Sequence, residues 1–167
     1  MTAPLPVPNG YKAVLQAYGN IHRYIRSDGT LSPRWEAEKI TRVALPAPLP
    51  YAADRKLLVT RVTAHVLIAE EVRGIFREIH RLGLWDALET YGGGFVFRPI
   101  RGSVSSLSMH SFGIAYDFDV ADNPLGSTKE GTMHPAIIGI FRARGWLWGG
   151  DYKDRKDPMH FQRATGA

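Results

Sequence analysis

Two segments of the chain hold the side chains with the most chemistry to offer. One is Ser108-Met109-His110-Ser111-Phe112-Gly113-Ile114-Ala115-Tyr116-Asp117, and the other is Asp157-Pro158-Met159-His160. His110 and His160 each sit near carboxylates inside an apolar stretch. Asp117 lies between Tyr116 and Phe118, where an ionised carboxyl is costly unless paired, hydrogen-bonded or bound to metal. Two imidazoles and one carboxylate make up the ligand count of a catalytic zinc site, which keeps its fourth position for water. A closed structural site takes four protein ligands. Asp157 precedes His160 by three residues with Pro158 between them, so a tight turn can bring its carboxyl near the same ion without ligating it. There it has the chemistry of a general base, accepting a proton from water and passing it to a leaving amine. On spacing alone, Asp157-Pro158 also reads as a turn initiator.

Positioning these groups sets conditions on the chain around them. From Gly113 to Val120 the pattern alternates: Ile114, Tyr116, Phe118 and Val120 face one way, and Ala115, Asp117 and Asp119 the other. That is a half-buried strand with a carboxylate face. An offset of seven from His110 to Asp117 is odd, so simple alternation places them on opposite faces. A bend at Gly113, with His110 in the turn before the strand, is therefore required. Ile68, Val72, Ile75, Phe76 and Ile79 repeat at helical spacing, with Gly83 as a stop and Arg73, Arg77 and Arg81 on the opposite face. That arginine stripe reads as a solvated face, or as a contact for an anionic polymer. Pro135 to Arg144 predicts a second helix with Pro in its first turn and Gly145 beyond its end. Trp146-Leu147-Trp148 and Met159-His160-Phe161-Gln162 predict two late strands. Tyr11 to about Tyr24 predicts a short helix, and the turn signals from Arg26 to Pro50 predict loop. Tyr91-Gly92-Gly93-Gly94 breaks the chain. The order of elements gives an α+β domain, a small antiparallel sheet flanked by helices, with the chemistry at the sheet.

Composition narrows the choices further. The chain has 167 residues, which suits one domain spanning 1–167, and 44% of them are hydrophobic. It has no cysteine, which excludes disulfides, thiolate zinc sites, iron–sulfur clusters and thiol nucleophiles, so any metal must use His, Asp or Glu. Its net charge of +5 suits an anionic partner such as nucleic acid, a membrane surface or an anionic envelope. The N-terminal Met-Thr-Ala-Pro-Leu-Pro-Val-Pro lacks the basic and apolar regions of a secretory signal, and no apolar run is long enough to span a membrane. The expectation is a product made in the cytoplasm. There is no phosphate loop, dinucleotide fingerprint, HExxH helix or nucleophile elbow. Basic residues are not interleaved with aromatics as in single-strand nucleic-acid binders, so nucleic acid is not the expected partner. His22 and His65 have no ligand partner at informative spacing, His80 flanks the amphipathic helix, and His134 precedes Pro135 at a helix start. His80 therefore reads as structural and His134 as a turn residue.

The first segment resembles the SxHxxGxAxD motif of the D-Ala-D-Ala carboxypeptidase and L-alanyl-D-glutamate endopeptidase family of zinc peptidases (VanY-like), and all five fixed positions are met. Asp157-Pro158-Met159-His160-Phe161 resembles the family's closing element, and Gly145-Trp146-Leu147-Trp148-Gly149-Gly150-Asp151 the stretch before it. The likeness covers roughly residues 91–163. It implies one zinc ion held by His110, Asp117 and His160, with Asp157 as general base. It also implies a supporting or substrate-contacting Ser108, and an arginine upstream of the motif that binds substrate carboxylate or stabilises the oxyanion. Arg98 is favoured for that role and Arg101 kept open. Asp stands at 157 where many relatives have Glu, a reach shorter by one methylene. The family resemblance further implies a Hedgehog-like fold and a peptidoglycan substrate. For a small, basic single-domain member it implies a monomeric phage endolysin, an L-alanyl-D-glutamate endopeptidase that leaves the host cytoplasm to reach the wall. The alternatives are a D-alanyl-D-alanine carboxypeptidase or dipeptidase of the wall, and a non-catalytic zinc-stabilised binding module.

Overall fold

A computed structural model describes residues 5–100, 103, 105–127 and 131–167. Among the described residues there are four α-helices: α1 (Tyr11–Tyr18), α2 (Pro33–Lys39), α3 (Ala69–Arg81) and α4 (Pro135–Arg142). Six strands, β1 (Ile40–Tyr51), β2 (Asp54–His65), β3 (Tyr91–Gly93), β4 (Ala115–Phe118), β5 (Leu147–Trp148) and β6 (His160–Gln162), make one sheet in the order β2-β1-β3-β4-β6-β5. The architecture is α+β, with the sheet flanked by helices. Pairing is antiparallel throughout except between β1 and β3, which meet in parallel at Tyr51 and Tyr91 alone. No helix among the described residues is long and apolar enough to cross a membrane.

α3 forms where the apolar period places it. It buries Val72, Ile75, Phe76 and Ile79, carries Glu70 and Glu71 in its first turn and His80 and Arg81 in its last, and so suits its own dipole. Arg77 and Arg81 are exposed and Arg73 pairs with Glu70, so the arginine stripe is the solvent face. Phe76 meets Tyr116 and Phe118 edge-on at 6.0 Å each, which seats α3 on the core face of β4. Asp117, between those two aromatics, points to the opposite face. At the end of β6, Arg163 is 2% exposed, and its Nε donates to Glu71 at 2.8 Å while Trp146 Nε1 donates to the same oxygen at 2.7 Å. This buried ion pair ties α3 to the sheet.

Residues 33–50 correct the expected loop: they form α2 and most of β1. Ser32 and Pro33 serve as N-cap and first residue of a helix, with Ser32 Oγ accepting from Arg34 N. Pro46, Pro48 and Pro50 fall at alternate positions, so their missing N–H groups all lie on one edge of the strand. β3 reaches that strand only at Tyr51, and β1 is irregular between Ala44 and Leu49, so few ladder bonds are lost. The first helix is also shorter than expected. It stops at Gly19, φ 109°, and Ile21–Tyr24 is a separate 3-10 turn. β4 ends at Phe118 because Asp119 turns to φ 50°, where its Oδ1 accepts from Glu89 and Thr90 N–H at 2.8 and 2.7 Å.

The β1–β2 hairpin braces the turn before β4. His65 N donates to the Gly113 carbonyl at 2.8 Å. The His65 ring is buried, with Nε2 2.9 Å from the Tyr18 carbonyl and Nδ1 accepting from Leu67 N–H. His22 bonds Tyr11, His80 packs on Trp85, and His134 caps α4 through Nδ1.

Two outcomes follow. Gly113 has φ 68°, and a Cβ there would lie 3.0 Å from His65 N and 2.7 Å from Ile40 Cδ1. Gly113→Ala should cost more than about 2 kcal/mol in denaturant unfolding at an unchanged slope. Burial pulls the His65 pKa from 6.5 to about 4, against the opposing hydrogen bond to Tyr18. The unfolded chain therefore binds this proton first, and the contribution present above about 6.5 is lost as pH falls toward 4. His65→Gln should flatten the fall in unfolding free energy across that window by on the order of 2 kcal/mol.

Candidate metal centre

The strand register puts Asp117 directly opposite His160 across the β4–β6 pair. His110 comes from the 3-10 turn Met109–Phe112, capped by Ser108, whose Oγ accepts from His110 N at 3.4 Å. The turn closes on Gly113 in the left-handed conformation, which supplies the bend that the odd offset requires. Around the turn, Ser111 Oγ accepts from Arg98 N at 3.0 Å and donates to the Arg98 carbonyl at 3.0 Å, and Val96 N donates to the His110 carbonyl. Trp35 Nε1 reaches the Ser111 carbonyl from the far side.

These elements bring His110, Asp117 and His160 together. His110 Nε2 lies 3.3 Å from His160 Nδ1 and 3.3 Å from Asp117 Oδ2, and His160 Nδ1 lies 2.9 Å from Asp117 Oδ1. Ligand atoms about 2.0–2.1 Å from a tetrahedral zinc are roughly 3.3 Å apart.

The outer hydrogen bonds decide which ring nitrogens carry protons. His110 Nδ1 is 2.6 Å from the Gly94 carbonyl, an acceptor only, so the proton sits on Nδ1 and Nε2 is a bare lone pair. Gln162 Nε2 donates to the Ala164 carbonyl at 3.1 Å, which turns its Oε1 toward His160 Nε2 at 2.9 Å. That ring therefore carries its proton on Nε2 and presents a bare Nδ1. With both rings neutral, two imidazole lone pairs and a carboxylate converge on one point, a place that a divalent cation would fill. The donor set fits a divalent metal. Burial pushes the Asp117 carboxyl up, but the hydrogen bonds and charges that the two imidazoles offer when their inner nitrogens carry protons outweigh it and hold the group well below the usual carboxylate range. Burial pulls the His160 ring down, and Asp117 more than reverses that.

Asp157 borders the same site without joining the cluster. Its Oδ1 is buried and has no hydrogen-bond partner among the described residues. Burial raises its pKa, His160 lowers it and Asp117 raises it. The backbone holds it: Asp157 N donates to the Gly149 carbonyl at 2.9 Å, and its own carbonyl accepts from His160 N. A Cβ on Gly149 would come within 2.3 Å of the Asp157 carbonyl, so glycine there is a packing requirement. A cleft of about 340 Å³ opens over these groups, and Arg98, Ser108, Asp117, Tyr152, Arg155, Asp157 and His160 line it. Arg98 pulls electrostatically on Asp157 from within it. Arg101 lies outside the described residues. Asp119 is turned to the backbone instead and takes no part.

Gln162, the Gly94 carbonyl, Tyr152 and Arg155 were not singled out from the sequence. Gln162 had a signal, since it lies two residues after His160 and so on the same strand face. The Gly94 carbonyl had none, because any residue can present one. Residues 101–163 match the family model described as D-alanyl-D-alanine carboxypeptidase. That match supports a peptidase. It takes in His110, Asp117, Asp157 and His160, while Arg98 and the β1–β2 hairpin stand outside it. No curated protein and no solved structure matches the chain.

Gln162→Leu removes the acceptor that fixes the His160 ring while leaving its volume nearly unchanged. Zinc affinity, read by chelator competition, should fall about 10–100-fold, with unfolding still cooperative.

Proposed function

We propose that this chain is a zinc-dependent peptidase that hydrolyses peptide bonds in peptidoglycan stem peptides, acting as an L-alanyl-D-glutamate endopeptidase. The observation that carries this reading is the convergence of His110, Asp117 and His160 on one point, with the Asp157 carboxyl, unpartnered among the described residues, in the same cleft. Zinc held by His110, Asp117 and His160 would supply Lewis acidity for a carbonyl and for water.

The chain's own groups do the rest. Asp157, raised by burial, accepts the proton of the attacking water at its carboxylate and delivers it to the leaving amine. Arg98 aims positive charge at the carbonyl oxygen as negative charge develops there. Ser108 holds the turn that sets the His110 ring. The triad leaves one side of the site to the cleft, which is where an extended stem peptide enters. The net charge of +5 favours encounter with an anionic envelope. The corresponding biological role is that of a phage endolysin, made in the host cytoplasm as a monomer and acting on the wall once the membrane is breached.

The description of the matched family favours a second reading, removal of a terminal D-alanine by the same groups. Digestion of purified murein separates the two. New D-Glu amino termini beside new L-Ala carboxyl termini mark the endopeptidase, and free D-alanine marks the carboxypeptidase. A non-catalytic binding module is disfavoured by the intact Asp157 in the cleft lining, which a purely structural metal would not need.

Elemental analysis should find about one zinc per chain in the wild type, and His160→Ala should lose it. Asp157→Ala should keep the metal and lose hydrolysis by at least about 100-fold. Unchanged turnover in that variant would remove Asp157 from its role.

A further inference from the structure

The triad, Asp157 and Arg98 account for bond breaking, but a second guanidinium in the cleft is left without a task. Arg155 lines the same space as Asp117, Asp157 and His160. Among the described residues no carboxylate pairs with it. Its neighbours in charge are not so placed: Arg142 is held by both oxygens of Asp151 at 2.7 and 2.6 Å, Arg144 by Glu78, and Arg163 by Glu71.

The segment bearing Arg155 is nevertheless anchored. Lys156 is fixed through both backbone and side chain: its carbonyl accepts from Gly126 N at 2.7 Å, and its Nζ donates to the Gly150 carbonyl at 2.8 Å. Gly126, at φ 81°, packs under the arginine, and a Cβ there would lie 3.3 Å from Arg155 Nε. The side chain therefore runs over a glycine surface shaped to receive it and into the cleft. A planar, permanently charged fork that lines the cleft beside Asp157 and His160, with no carboxylate partner among the described residues, can take a substrate carboxylate in two parallel hydrogen bonds.

We propose that Arg155 is a specificity-determining residue that binds a free carboxylate of the substrate, so that the enzyme prefers stem peptides whose D-Glu α-carboxyl is ionised over those in which it is amidated. The inference rests on the stem-peptide reading above. Arg98 answers the charge that develops during reaction, and Arg155 answers a charge the substrate already carries. The two arginines thus divide transition-state and ground-state recognition between them, and that division is measurable.

The test uses the full zinc-loaded chain and two synthetic peptides, L-Ala-γ-D-Glu-L-Lys and the same peptide amidated at the D-Glu α-carboxyl. Wild type should favour the free acid by about 10- to 100-fold in kcat/KM, the scale of a charged hydrogen-bonded pair. Arg155→Ala should raise KM for the free acid by a similar factor, change kcat only a few-fold, and leave the amidated peptide unaffected. Arg155→Lys should recover part of the preference. An equal loss on both peptides, or none on either, overturns the proposal. If Arg155→Ala fails to fold by circular dichroism, Arg155→Gln carries the same comparison. If wild type cleaves neither peptide nor murein, the endopeptidase reading fails. Calorimetric binding of the two peptides then decides the arginine's role, because a preference for the free acid that disappears in the variant supports it and the lack of any preference overturns it.

Discussion

Three side chains aimed at one point, which only positive charge can hold together, are the constraint on which the rest of this molecule depends. Neutral imidazoles and a carboxylate at 2.9–3.3 Å repel one another unless something positive lies among them. A proton on His160 relieves only part of that, since it can bridge to Asp117 but not to His110 at the same time. The fold holds the groups in place through contacts outside the triad. The Gly94 carbonyl and Gln162 each occupy the far nitrogen of one ring, and so decide that both rings face inward as bases.

Much of the scaffold is organised around keeping that geometry. β4 and β6 place Asp117 and His160 side by side by register, which is rigid because one face of β4 is locked into aromatic packing against α3 and α4. His110 comes from a turn, a looser element, and the turn has the heavier bracing. Ser108, Ser111, Trp35 and the carbonyl link to His65 all bear on it. The long hairpin, outside the segment that matches the peptidase family, contributes no ligand but closes the sheet around Gly113 and buries His65 beneath it.

Electrostatics separates the acidic groups by environment. Asp117 is deeply stabilised as an anion by two imidazoles, and suits a ligand. Asp157 is pushed the other way by burial and lacks a partner, and suits proton transfer. Asp119 accepts two backbone N–H bonds that end β4, and serves the fold. Three aspartates within 41 residues thus acquire three tasks from what surrounds each carboxyl, not from its own chemistry.

The sequence by itself determined which side chains could act as ligands, the α3 stripe, the β4 alternation and the need for a bend at Gly113, because each is a local rule of spacing or of burial cost. His22, His65, His80 and His134 have no second ligand at informative spacing, and each makes a local contact of the fold. The sequence misread residues 33–50, where Ser32-Pro33 and alternating prolines look like loop. Whether a proline breaks a strand depends on which edge carries its missing donor, and that edge is set by β3 reaching β1 only at Tyr51. Tertiary structure alone decided the two ring tautomers, the isolation of the Asp157 carboxyl and the gathering of Arg98 and Arg155 in one cleft. Those are matters of distances between residues far apart in the chain, and of carbonyls that every residue possesses, so no spacing rule records them.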